Sequence, residues 1–211
     1  MWKLTALGLI CVFVAIGDAY WFCKTTNNIV RAFEKYNFGK NISNGLPCKK
    51  LLVTYFECSV EVKMGNVLKS LEVEDAPSVH WEWADEDKNY TLIFTDADYQ
   101  NHKNSKHEEF ILWMVVNIPG NHVNYGEEIV EYIPPKPKNK TELHRCIFLV
   151  FEQEDGKYDF DDVIHIKKNN IDARRNFSTN KFVLQNNLIL VPTGGNFFLA
   201  KYSAPDAHKN C

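Results

Sequence analysis

The sequence predicts an all-β-dominated antiparallel β-sandwich with a few short helices. Three observations carry this expectation. The 14 Phe, 9 Tyr and 5 Trp fall in short apolar runs rather than along helical stripes, as suits residues that pack on a pleated surface. Those runs recur at short, irregular spacing and are separated by Pro, Gly, Asn and Asp, with few helical patterns between them. A chain of 211 residues with 45% hydrophobic content can bury one sizeable core but hardly two, so a single β domain is expected. The formal net charge of −3 gives no reason to expect nucleic acid as a partner.

Residues 1–19 read as a secretory signal peptide. Lys3 precedes an apolar run from Leu4 to Ile16, and the small residues Gly17 and Ala19 flank Asp18. That run is shorter than the roughly 20 residues of a membrane-spanning helix, and no later run is long enough to span. The mature chain is therefore expected to be secreted, extracellular and without a transmembrane segment. Residues 20–45 form an N-terminal extension with one short helix in TTNNIVRAFEKYNFGK, where Ile29, Val30, Phe33 and Phe38 share a side and Gly39 follows.

The hydrophobic period then shortens to that of strands. LLVTYFECSVEV alternates as a strand or hairpin, SVHWEWA follows Ala76-Pro77, YTLIFTDAD is the next run, and FILWMVVNIPG is a continuous apolar stretch ending in Pro-Gly. The polar segment YQNHKNSKHEE between the last two reads as a loop. Pro134, Pro135 and Pro137 break the chain before LHRCIFLVFEQ, another buried strand. EDGKYDFDD reads as a solvated loop, ARRNFSTNKFVLQNN as a last short helix and NFFLAKYS as the closing strand. The domain spans residues 46–203, and residues 204–211 form a polar tail.

Signal cleavage would remove Cys11 and leave Cys23, Cys48, Cys58, Cys146 and Cys211, an odd number. Cys146, inside a strand-like run, is the candidate buried free thiol. Cys23, Cys48, Cys58 and Cys211 are disulfide candidates whose pairing stays open. Sequons at Asn41, Asn89, Asn139 and Asn176 are candidate glycosylation sites in a secreted glycoprotein. His80, His102, His107 and His122 sit in or beside polar segments and read as surface residues.

In their order and spacing, VTYFECSVEVKMGN, PSVHWEW, YTLIFTDAD, WMVVNIPGN and LHRCIFLVFEQ resemble the phosphatidylethanolamine-binding protein (PEBP) family, also called the Raf kinase inhibitor family, over residues 46 to 202. The succession of VVNIPG and LHR is the most specific part. The cysteine placement is similar to that of the family's secreted animal branch. The resemblance implies a sandwich of one large and one smaller sheet, with a small anion pocket at one end that accepts phosphate-like head groups. It implies pocket positions for Asp96, Asp98 and His144, and it places Lys136 and Pro137 in a pocket-side turn.

Several family positions differ here. The family's Asp-Pro-Asp-Ala-Pro becomes Asp96, Ala97, Asp98, Tyr99 and Gln100. The second family proline follows a cis peptide bond, which Gln100 would adopt only at a cost of about 2.5 to 4 kcal/mol, so a remodelled all-trans loop is expected. The family's first pocket histidine falls near Leu112, beside Phe110 and Ile111. Its Gly-x-Gly-Pro-Pro turn falls on Pro134, Pro135, Lys136, Pro137 and Lys138, and an aromatic that commonly follows HR is replaced by Cys146. No counterpart is expected to the C-terminal helix that covers the pocket in many animal members.

A phosphate held near two aspartates is a charge conflict unless hydrogen-bond donors offset it. Losing one histidine removes a donor, and Lys136 and Lys138 would restore charge only as flexible point charges at the rim. The expected function is lipid binding of a limited kind: a secreted PEBP-like binding protein, without cofactor, whose partly degenerate pocket takes a phosphate-bearing small molecule or phospholipid head group. The alternative is a protein-interaction role, as a protease inhibitor or signalling modulator, in which surface loops meet a protein partner and the pocket is non-functional. Asp96, Asp98 and His144 are also acceptable ligands for a divalent ion. The sequence has no HExxH, GxSxG or paired CxxC, so neither a metal site nor enzymatic activity is expected.

Overall fold

The long apolar runs become the central strands of a sheet that is covered on both faces. The computed structural model describes residues 28–42, 44–99, 109–138, 142–161, 163 and 165–204. The signal peptide, Cys23, Cys211, Gln100, His102, His107, Asn139 and most of the polar tail lie outside the described residues. Strands β1 (Leu52–Tyr55), β2 (Val60–Glu61) and β4 (Ser78–His80) form a small sheet in the order β2-β1-β4. The large sheet runs β3-β9-β8-β5-β6-β7. Its strands are β3 (Val67–Lys69), β5 (Asn89–Asp96), β6 (Phe110–Pro119), β7 (Glu127–Val130), β8 (Leu143–Gln153) and β9 (Gly194–Lys201). Pairing is antiparallel throughout except between β3 and β9, which run parallel.

Alternation along β5 and β8 assigns side chains to two cores. Leu92 and Phe94 of β5, with Cys146, Phe148 and Val150 of β8, meet Leu51, Val53, Val79 and Trp81 between the sheets. Ile93, Ile147 and Leu149 face the other way. There the cover is helical: α1 (Asn28–Lys35) contributes Val30 and Phe33, and α2 (Thr179–Gln185) contributes Phe182 and Val183. With both faces buried, these strands read as unbroken hydrophobic runs, a pattern more usual in parallel sheets.

The N-terminal extension packs as the helical spacing predicts. Val30, Phe33 and Phe38 are fully buried, and the rings of Phe33 and Phe38 lie 5.0 and 4.8 Å from that of Phe197 in β9. Each such ring contributes about 1.5 to 3 kcal/mol of burial. The approach requires glycine beneath it, because a Cβ on Gly195 would stand 2.8 Å from Pro47 and 2.9 Å from Phe33. Ser178 caps α2 by accepting from the backbone N–H of Lys181. Arg174, before that helix, is fully buried and donates to the carbonyls of Ile111, Leu112, Glu131 and Lys167.

Cys146 is buried and free, whereas Cys48 and Cys58 are disulfide-bonded. No cis peptide bond occurs among the described residues. No described helix is long and apolar enough to cross a membrane. His80 and His122 are exposed.

Candidate functional site

The site stands where β5 ends. Asp96 pairs with Cys146 across β8, and His144 lies two residues before Cys146, so both side chains point into the inter-sheet core at its end. Asp96 is 0% exposed and His144 6%. Their contact is a 2.7 Å hydrogen bond between His144 Nδ1 and Asp96 Oδ2. The other carboxylate oxygen, Oδ1, accepts from the Asp98 backbone N–H at 2.8 Å, which closes a tight turn at the strand end.

That turn sends Asp98 to the opposite face of the sheet. Arg145 donates to Asp98 Oδ2 from its backbone N–H (2.9 Å) and Nε (2.8 Å), and to Oδ1 from Nη2 (2.7 Å). The same guanidinium donates to the carbonyl of Tyr36 at 2.8 Å and stacks over Phe38. The two aspartates therefore differ in role: Asp96 is paired with His144, and Asp98 ties β8 to the N-terminal extension. A fixed guanidinium thus engages both oxygens of Asp98, the residue for which the family resemblance implies a pocket position.

The surroundings of Asp96 and His144 are apolar. Phe110, Leu112, Trp113 and Tyr132 belong to the same core, and Tyr99 stacks on Phe110 with ring centroids 3.8 Å apart. Leu112 stands buried where the family resemblance places a histidine. Pro135 and Pro137 are buried, whereas Lys136 and Lys138 are exposed. Among the described residues, no group of three or more His, Cys, Asp and Glu is arranged to hold a metal ion.

Burial governs the charge states. It pushes the Asp96 carboxyl up, and the His144 hydrogen bond and charge only partly oppose that rise. Burial also works against a charged His144, but the hydrogen bond and charge of Asp96, with Asp98 and Glu142 adding, outweigh it and raise the imidazole above its ordinary 6.5. The Cys146 thiol is raised well above its usual value by burial, with Asp96 and Asp98 adding, and so stays protonated. Asp96 thus orients the ring through Nδ1. Nε2 makes no described hydrogen bond.

Two buried ionisable side chains escaped the sequence reading. One is Arg174, and the other is Glu109, 4% exposed at the start of β6. Glu109 accepts from the backbone N–H of Thr179 at 3.2 Å and from its hydroxyl, and also hydrogen-bonds the Asn41 side chain. Its one sequence signal is an acid directly before FILWMVVNIPG. Asn41, among the sequons, is 6% exposed and engaged with Glu109, a placement that leaves little room for a glycan. Asn89 is partly buried and Asn176 exposed.

The chain is a β-sandwich with a carboxylate-anchored imidazole at the end of its inter-sheet core. The chain belongs to the phosphatidylethanolamine-binding protein family, whose model matches residues 58–198. It is similar to the 26 kDa secreted antigen of Toxocara canis, with 33% identity over 156 residues, 72% of this chain and 56% of that protein. It is also similar to putative odorant-binding protein A5 of Drosophila melanogaster, with 30% identity over 156 residues, 74% of this chain and 72% of that protein. The chain therefore spans little more than half the length of the first relative. Among solved structures, phosphatidylethanolamine-binding protein from Plasmodium vivax aligns with a TM-score of 0.67 at 16% identity, covering 84% of this chain and 99% of that one. A carboxypeptidase Y inhibitor complexed with its cognate proteinase aligns with a TM-score of 0.65 at 20% identity, covering 85% and 99%. At these identities the likeness is one of fold.

Proposed function

We propose that this chain acts outside the cell as a PEBP-family binding protein whose site at Asp96 and His144 receives an anionic group, the phosphate of a small molecule or of a phospholipid head group. The observation that carries this reading is the 2.7 Å bond between His144 and Asp96. A buried titratable pair adds little to stability relative to apolar side chains of the same volume. Its anchored Nδ1 and available Nε2 give it a use in binding instead. When the ring is protonated, the pair presents an N–H donor without net charge, which lets an anion approach a buried carboxylate.

The site is partly degenerate in this reading. Leu112 supplies no donor and Asp98 is engaged by Arg145, so a modest affinity is expected. Extracellular action is supported by the signal-like segment 1–19 and by the relative named a secreted antigen. Asn176 and Asn89 are the better-placed glycan acceptors, and Cys23 and Cys211 are the candidate partners of Cys48 and Cys58. The reading is of binding without catalysis, in keeping with a Cys146 thiol held protonated beside the site. A second reading, protease inhibition or another protein-interaction role, is supported by the likeness to the carboxypeptidase Y inhibitor.

The test is calorimetric titration of the secreted protein with phosphoethanolamine and with inorganic phosphate at low salt, with His144→Ala as control. Saturable heat that disappears in the variant supports the anion site. Absence of saturable heat with both ligands overturns it.

A further inference from the structure

We propose that two disulfides fasten the ends of the domain, Cys23 to Cys48 and Cys58 to Cys211. Cys48 and Cys58 are disulfide-bonded, whereas Cys146 is free and buried. Cys11 lies within the segment read as a signal peptide. What selects this pairing from the others is the reach of the chain on either side of β1. The pairing is independent of the anion site at Asp96 and His144.

Cys48 and Cys58 are not bonded to each other, because β1 holds them apart. Lys50 is bridged to Gly195 at the start of β9, and the chain runs on from there into β1. The extended stretch from Lys50 to Tyr55 alone spans about 16 Å, and the pairing of Tyr55 with Val60 puts Cys58 in the turn beyond its far end. Cys48 stands before the near end and packs against the core on the helical side. A disulfide joins Cα atoms no more than about 7 Å apart.

Cys23 does not reach Cys58 either. It precedes Asn28, the first residue of α1, by five residues, which span at most about 18 Å. α1 covers the helical face of the large sheet, and Cys58 belongs to the hairpin of the small sheet on the other face. About 10 Å separates the two sheets and about as much separates a helix axis from the sheet beneath it. The path must also pass around a sheet edge rather than through the sheet.

Cys211 therefore falls to Cys58, and the contacts of the C-terminal segment lead that way. The Lys201 carbonyl accepts from the Ser70 hydroxyl at 3.2 Å, and Ser203 Oγ accepts from the Leu71 backbone N–H at 3.4 Å. Ser70 and Leu71 open the 3-10 turn Ser70–Val73. Its Glu72, with Glu74, Asp75 and Ala76 after it, lines one depression together with Phe56 and Glu57 of the β1–β2 turn. The eight residues after Ser203 span up to about 26 Å, enough to pass from one flank of the 3-10 turn to the other.

Cys48 is left with Cys23, on its own side of the sheet. A Cβ on Gly195 would stand 2.8 Å from Pro47 and 2.9 Å from Phe33, so the residue before Cys48 meets α1 over the same glycine. Each bond forms when two thiols give up two protons and two electrons to a disulfide oxidant, which leaves as two thiols. One bond clasps the N-terminal extension to the lead-in of β1. The other closes the chain from Cys58 to Cys211 around the rest of the domain.

The experiment is mass-spectrometric peptide mapping of the secreted protein, alkylated with a maleimide in denaturant at mildly acidic pH and digested without reduction. Trypsin cuts after Lys24, Lys49, Lys63 and Lys209, which puts Cys23, Cys48, Cys58, Cys146 and Cys211 in different peptides. Two linked pairs are expected, Cys23 with Cys48 and Cys58 with Cys211, both lost on reduction, with the alkyl label on Cys146 alone. In Cys211→Ser the label also appears on Cys58 and not on Cys48, and in Cys23→Ser on Cys48 and not on Cys58. A link from Cys48 to Cys58, from Cys23 to Cys58 or from Cys48 to Cys211 overturns the proposal, as does label on Cys48 or Cys58 in the parent protein. A link to Cys11, or a covalent dimer that reduction resolves, overturns it as well.

Discussion

Arg145 grips Asp98 with three hydrogen bonds, two from the guanidinium and one from its own backbone amide, all between 2.7 and 2.9 Å. Because the same guanidinium reaches Tyr36 and Phe38, this pair fastens β8 to the N-terminal extension. Asp98→Asn is expected to destabilise the fold by about 1 to 3 kcal/mol, the scale of a charge-assisted hydrogen-bond group, while leaving anion affinity at His144 within about twofold. Urea denaturation and calorimetry read the two effects separately. Loss of ligand binding with unchanged stability would place Asp98 in the pocket instead.

Glu109 makes folding stability depend on pH. Burial raises its carboxyl from 4.5 to about 7, against the opposing hydrogen bonds of Thr179 and Asn41 and the charge of Arg145. An acid with a raised folded value binds its proton more tightly when folded. Its contribution to stability is therefore largest below about pH 4.5, falls as the pH rises toward 7 and levels off above, by roughly 3 kcal/mol in all. Glu109→Gln is expected to remove this slope, so that the variant gains on the parent as the pH rises from 5 to 8. A stability gap that stays constant across that window would contradict the assignment.

Anion binding should follow His144 in the opposite sense to a carboxylate requirement. The imidazole is raised above 6.5 by Asp96 against the cost of burial, so the protonated ring donates below its folded value and binding weakens as the pH rises through it. Asp96→Asn removes the chief raising influence, and the binding profile is expected to move to lower pH. An NMR titration of the ring, run beside calorimetry at several pH values, checks both. A profile unmoved by Asp96→Asn would mean that Asp96 does not set the donor.

Exposure separates the glycan acceptors. In protein secreted from a glycosylating host, treatment with an amide-cleaving glycosidase is expected to lower the apparent mass. Asn176→Gln should reduce that shift and Asn41→Gln should leave it unchanged, because Asn41 is buried against Glu109. A smaller shift in the Asn41 variant would contradict the burial argument.

The strands of the large sheet were legible in proportion to their burial. β5, β6 and β8 are covered on both faces and announce themselves as apolar runs. β3 buries only Leu68 and β7 begins with two exposed glutamates, so neither has a pattern of its own. Both form because a neighbouring strand offers an edge. Asp96 and His144, which the structure brings into contact, could be singled out because the motifs around them are specific to a family. Glu109 and Arg174 were not, because their partners Thr179 and Leu112 lie 70 and 62 residues away in the chain, and no local spacing encodes such contacts.

His144 and Arg145 are neighbours in the chain, yet one serves the interior between the sheets and the other the helical side. A frame slip of β8 by a single residue would carry the guanidinium into the inter-sheet core and the imidazole under the N-terminal extension, undoing the Asp96 pair and the Asp98 clasp together. Over evolutionary time, insertions and deletions before this strand can accumulate only where the loop absorbs them without moving the strand. The dipeptide works as a phase marker against which changes of loop length are judged.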